Sequence, residues 1–167
     1  MESELILTKG GFPPLSARGC IQHLMPILAG DLNRTINGSL VYTGNALIHK
    51  YRSIIACEDK TILALDEFWR GSEIRVGCIQ TLWQKVTKTQ VILAREPIEG
   101  SIFAITDQQQ DREIQEIQGR KVTLKRGTDE DVFVSYRPWL DMRVVNFTFM
   151  TNEWGLKSGW RLELEEI

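Results

Sequence analysis

Hydrophobic and polar positions alternate strictly from Trp160 to Glu166. Trp160, Leu162 and Leu164 fall on one side, Arg161, Glu163 and Glu165 on the other. A period of two marks a strand with one buried face. Met142 to Met150, rich in Val, Phe and Thr, suits a second strand. Between them, Asn152 to Gly155 and Ser158-Gly159 carry turn chemistry, with glycines available for positive φ. The two runs predict an antiparallel hairpin that closes the core.

The same alternation, weaker, recurs upstream. Asn33 to Thr43 reads as a strand holding Asn37-Gly38, either as a tight turn or, preferred here, as a bulge. Tyr51 to Cys57 is a strand ending at Glu58-Asp59-Lys60. Over Thr61 to Trp69, Leu65, Phe68 and Trp69 would share one face of a single helical turn. Ile74 to Trp83 reads as one strand with Ile74, Val76, Cys78 and Leu82 facing in. That makes Cys78 a small core hydrophobe. Thr87 to Ala94 and Ser101 to Thr106 follow around the turn at Pro97 to Gly100. Lys121 to Lys125 and Val132 to Tyr136 are expected to pair as a hairpin. Asp107 to Gly119 is polar apart from Ile114 and Ile117, and fits a surface loop or a short helix.

Residues 1–30 break the pattern. Gly10-Gly11, Pro13-Pro14 and Pro26 punctuate them, so they predict an extended N-terminal arm with one short strand or turn at Cys20 to Ile27. Leu24, Met25, Ile27 and Leu28 are too apolar to stay wet, so the arm lies on its own domain or on a neighbour. The expected organisation is an arm over residues 1–30 and one domain over residues 31–167. Roughly nine or ten short strands with closely spaced turns imply an all-β class, an antiparallel β-sandwich or barrel.

Composition narrows function more than fold. A chain of 167 residues, 43% hydrophobic and 25% charged, buries a core without staples. A net charge of −2, with scattered Lys and Arg, gives no electrostatic case for nucleic acid or an anionic membrane. No apolar run approaches a membrane span. Cys20, Cys57 and Cys78 are odd in number and follow no secretory leader, so free thiols are expected.

Catalytic signals are weak. Cys20 and His23 have C-x-x-H spacing without a second pair to complete a zinc site. His49 reads as a polar residue at a strand start. Asp66-Glu67 falls in a turn, and Glu163 and Glu165 on a solvent face, so no carboxylate pair is set for acid–base work. No nucleophile elbow, P-loop or dinucleotide fingerprint occurs. The expectation is no enzyme, no metal and no cofactor. Of the five tryptophans, Trp69, Trp139 and Trp154 lie beside turns or strand ends. Large aromatics there either plug the fold or anchor a subunit contact. Rings interleaved with Arg could also stack bases on an oligonucleotide-binding barrel, a reading that the acidic balance weakens.

Several phrases occur in one order: Arg34 to Gly38, Lys50-Tyr51-Arg52-Ser53, Ala64-Leu65-Asp66 with Trp69 and Gly71, Tyr136-Arg137-Pro138, Glu153-Trp154-Gly155 and Gly159 to Glu166. From about Phe12 onward the chain resembles a family of tailed-bacteriophage virion structural proteins. It departs from that pattern at Thr61-Ile62-Leu63 and at Arg70, where prolines would be expected. The resemblance implies a non-enzymatic building block of the particle. Its expected place is the tail (tube, distal-tail ring or baseplate), with a capsid-surface or head-completion role as the alternative. It also implies a symmetric ring of copies contacting other virion proteins, assembled in the bacterial cytoplasm, without membrane or specific nucleic-acid partners. Interface candidates are Leu24, Met25, Ile27, Leu28, Trp69, Trp139 and Trp154.

Overall fold

A computed structural model describes the chain except residues 1–3, 28–29, 46–48, 65, 87–88, 126–130 and 156. Every regular element among the described residues is a β-strand, and the strands described below pair antiparallel. The fold is all-β. The chain divides into two compact units, each discontinuous in sequence. Unit 1 comprises Met1–Gly11 and Ile74–Asp141, unit 2 Phe12–Glu73 and Met142–Ile167.

In unit 2, β2 (Ile21–Pro26), β5 (Tyr51–Asp59), β15 (Ser158–Glu166) and β14 (Trp139–Thr151, from Met142 on) stand in the order β14-β15-β5-β2. The expected terminal hairpin is present: β14 meets β15 from Met142↔Glu166 to Thr151↔Ser158, with a register shift between Val144 and Asn146. The shift keeps the buried faces in phase, so Val144 lies opposite Leu164 and the half-buried Phe147 opposite Leu162. Trp160, Leu162 and Leu164 are buried, as their alternation predicts, with Ile55 and Cys57 beside them on β5. Gln22 and Ser53 are the polar pair on this buried face. Their side chains satisfy each other, Gln22 Nε2 donating to Ser53 Oγ at 2.9 Å.

The segment expected as an arm is built into the ladders. β1 (Ile6–Leu7) pairs with β6 (Glu73–Gly77) in unit 1, and β2 pairs along its whole length with β5. Between them, the loop carrying Leu15 to Gly19 lies over β15 and β5. The buried Trp160 indole donates its N–H to the Ser16 carbonyl at 2.7 Å, and Leu15 O accepts from Lys60 N and Thr61 N. Two-stranded β3 (Leu32–Arg34) and β4 (Leu40–Tyr42) form a separate hairpin. Asn37-Gly38 makes a tight turn there instead of the expected bulge, with Gly38 at φ 80° and its N–H on Thr35 O.

Unit 1 is a small sandwich. One sheet has the order β10 (Asp111–Arg112), β9 (Phe103–Thr106), β13 (Val132–Tyr136), β7 (Leu82–Val86). The other has β11 (Ile114–Gln118), β12 (Lys121–Leu124), β8 (Gln90–Ile92). Their facing sides share one core of Val86, Val91, Leu93, Ala104, Val122, Leu124, Val132, Val134 and Tyr136. Three expectations change here. Ile74 to Trp83 is two strands, because Gly77 and Cys78 end β6. A Cβ on Gly77 would sit 3.0 Å from both Ile6 Cβ and Ile98 Cδ1, so glycine is required where β1 crosses closely. Asp107 to Gly119 is neither loop nor helix but β10 and β11. Finally, β12 does not pair with β13: it joins β8 and β11, while β13 joins β7 and β9. Each strand satisfies its backbone in a different sheet of the sandwich. The Thr61 to Trp69 segment forms no helix among its described residues; Leu65 lies outside them.

Replacing Trp160 tests the closure of unit 2. Trp160→Ala should cost about 3–5 kcal/mol as a large core truncation. Trp160→Phe keeps most of the packing but strands the Ser16 carbonyl, at about 1–3 kcal/mol. Urea denaturation read by circular dichroism measures both. An unchanged midpoint for either would refute the structural role of the indole.

Candidate functional site

The chemistry-bearing residues do not converge. Among the described residues, no three His, Cys, Asp or Glu side chains gather as a metal would need. The carboxylates of β15 are engaged by arginines: Glu163 takes Arg52 at 3.3 Å and Arg161 at 3.1 Å, and Glu165 lies 3.8 Å from Arg52. Glu166 accepts the backbone N–H of Tyr51. Asp66 and Glu67 are exposed.

Two polar clusters sit where the loop before β2 meets β5. Arg18 grips Asp59 with its guanidinium and its backbone N–H, at 2.7 to 3.3 Å. The Arg18 hydrogen bond, reinforced by the N–H groups of Arg18 and Lys60, holds the Asp59 carboxyl well below the usual carboxylate range. Beside it, the register Ile21↔Ala56 sets Cys20 opposite Cys57. Their thiols reach successive carbonyls of the loop, Cys20 Sγ to Ala17 O at 3.2 Å and Cys57 Sγ to Arg18 O at 3.5 Å. Burial, and then the hydrogen bond to Cys57, pushes the Cys20 thiol up to about 12. Burial raises Cys57 as well. These thiols are protonated at neutral pH, the opposite of a nucleophile's requirement.

What the surface does offer is apolar. On β2, Leu24 is half-buried, while Met25 and Ile21 point out, Ile21 at 61% exposure. Ile27 is half-buried and bonded to Lys50 O, and Leu28 lies outside the described residues. Trp154, in the β14–β15 turn, is 82% exposed, and Trp69 is 69% exposed. Trp139 is half-buried beneath the Arg75 guanidinium, 5.1 Å from its ring centre, a packing role. Of the six described candidates, Leu24, Met25 and Ile27 lie on or just after β2, while Trp69, Trp139 and Trp154 fall on three other segments.

Two features escaped the sequence reading. The β3–β4 hairpin is exposed along its whole length, including Leu32, Leu40, Val41, Tyr42 and the turn residue Ile36. On the outer face of the β14-β15-β5-β2 sheet there is also a groove of about 380 Å³. Ala56 and Gly159 form its floor; Ile21, Met150, Thr148 and Arg161 form its walls. The groove exists because two adjacent strands carry small residues at neighbouring positions. Only the hairpin had a signal in the sequence: Asn37-Gly38, for which a bulge is preferred to the tight turn.

No family model, curated protein or solved structure matches the chain.

The ion pair sets a pH dependence. A carboxyl with a depressed folded pKa contributes stability above its unfolded value, about pH 4, and loses it as pH falls toward its folded value. Urea midpoints of the parent should therefore drop as pH is lowered below about 4. Asp59→Asn should start less stable at neutral pH and show a shallower acid limb. Identical limbs in the two proteins would remove Asp59 from the account. The thiols give a second check. Iodoacetamide should label Cys20 and Cys57 slowly in the native protein at neutral pH and quickly in urea. Equal rates in both states would contradict their burial.

Proposed function

We propose that this protein is a non-enzymatic structural component of a tailed-bacteriophage virion. We place it in the tail, as a tube, distal-tail ring or baseplate subunit that assembles with copies of itself. The ordered phrases from Arg34 to Glu166 motivate the virion. The exposed apolar strands and turns motivate the assembly.

One observation carries the assembly argument. Large apolar side chains that a solitary chain has reason to hide stand exposed, namely Leu32, Ile36, Leu40, Met150 and Trp154. Strand edges and turn aromatics are the usual materials of such contacts.

Light scattering across a concentration series tests the reading. A mass that is a fixed multiple of the chain, growing in population with concentration, supports a building block. A strict monomer at every concentration overturns self-assembly. Titration with single-stranded DNA at low salt would then decide for or against an oligonucleotide-binding barrel.

A further inference from the structure

The β3–β4 hairpin has no structural reason to stand alone. Two strands without a third, or without a helix beneath them, are marginal in water. Among the described residues, the hairpin's turn and end bonds close on itself: Thr35 N to Ser39 O, Gly38 N to Thr35 O, and Thr43 N to Asp31 O. The Asp31–Thr43 and Thr35–Ser39 bonds fix the phase of its ladder. In that phase the N–H and C=O of Leu40 and Tyr42 point away from β3, toward an open edge. That edge, Leu40-Val41-Tyr42, carries neither charge nor proline, the devices that keep strand edges from pairing. Four other outer strands are guarded. β7 carries Lys85, ion-paired to Asp131; β10 is Asp111–Arg112; β11 carries Glu116; and the Ile92 carbonyl of β8 is taken by the Gln84 side chain.

A matching edge exists on the same chain. β2 is the outermost strand of the β14-β15-β5-β2 sheet. The bond from Ile27 N to Lys50 O sets the phase of the β2–β5 ladder, which turns the N–H and C=O of Leu24 away from β5. Its outward side chains Ile21 and Met25 are exposed and apolar, with the exposed His23 between them, and Pro26 ends the strand. The groove floored by Ala56 and Gly159 begins at Ile21.

We propose that the β3–β4 hairpin of one copy of this chain docks along β2 of a second copy. There it extends that copy's four-stranded sheet by two strands running parallel to β2, the orientation in which the outward phases of Leu40, Tyr42 and Leu24 put Leu40 and Tyr42 on the same face as Ile21, His23 and Met25. The inference rests on the assembly reading above and names its contact. Donor and acceptor are different surfaces of one chain, so the contact is head-to-tail and repeats around a ring or along a filament. The five apolar side chains of the hairpin offer roughly 500 Å², and the covered acceptor surface a comparable amount. Together they reach about 1,000 Å², the lower bound of a specific interface. Main-chain bonding supplies affinity, and the alternating side chains supply register.

Complementary variants test the geometry, because every substituted side chain is exposed in the single chain. Leu32→Lys with Leu40→Lys disables the hairpin; Ile21→Lys with Met25→Lys disables the acceptor edge. Each variant should keep the parent's thermal midpoint, yet stay monomeric by light scattering at concentrations where the parent assembles. An equimolar mixture should give twice the mass of one chain and nothing larger, since only one productive contact remains. If the acceptor variant alone still assembles while the hairpin variant does not, the hairpin pairs with itself and the proposal is overturned. If both variants assemble like the parent, or their mixture stays monomeric, the proposal also fails, while the building-block reading stands. A parent that never assembles overturns both.

Discussion

A buried indole N–H needs an acceptor, and Trp160 finds its acceptor in the carbonyl of Ser16. That single bond, between residues far apart in sequence, pins the loop before β2 across β15 and β5. From the pinned loop follow the Arg18 grip on Asp59, the facing of Cys20 on Cys57, and the launch of β2 along β5. The ladder of β2 on β5 and the Leu15 carbonyl bonds reinforce the same docking, against the loose arm that the glycines and prolines suggest. So docked, the early residues become part of the sheet, and Ile21 and Met25 are held on a defined edge rather than on a mobile strand.

The sequence was most legible where one face is buried and the partner is close in the chain. Trp160, Leu162 and Leu164 alternate because β15 has the core on one side and solvent on the other, and a short turn joins it to β14. Cys78 read as core and is core. Legibility failed where the partner is remote. Nothing local in Val122 and Leu124 says that they face the same core as Val132 and Val134 from the opposite sheet. A short turn between two alternating runs looks like a hairpin in either case. The break of Ile74 to Trp83 at Gly77 depends on Ile6, a contact that periodicity cannot carry. The polar run from Asp107 to Gly119 concealed strands because β11 is exposed almost throughout, leaving too few apolar positions to show a period.

The candidate surface was the least legible part, for a related reason. Apolar strand residues predict burial, and on β3 and β4 the burial is not supplied by this chain. Under the assembly proposed above, the complement of such a surface lies on another molecule, where intramolecular pattern reading cannot find it. Trp154 and Trp69 were recognisable only because turns flank them, while the groove over Ala56 and Gly159 is an absence of side chains and leaves no apolar signal at all.

β15 lies between β14 and β5 in its sheet, yet it is synthesised after every other strand of unit 2. On a ribosome, β2 and β5 emerge early and wait with one apolar face bare until the last strand arrives between its neighbours. Unit 1 is complete at Asp141, sooner. Chain order thus lets the sandwich close before the open sheet, whose last pairing must span most of the chain. Through that interval the exposed edge of β5 is a hazard for premature pairing. The β2 edge is bound to the same clock, since it is not a finished surface until β15 has locked the sheet behind it, whereas the β3–β4 hairpin closes on its own strands.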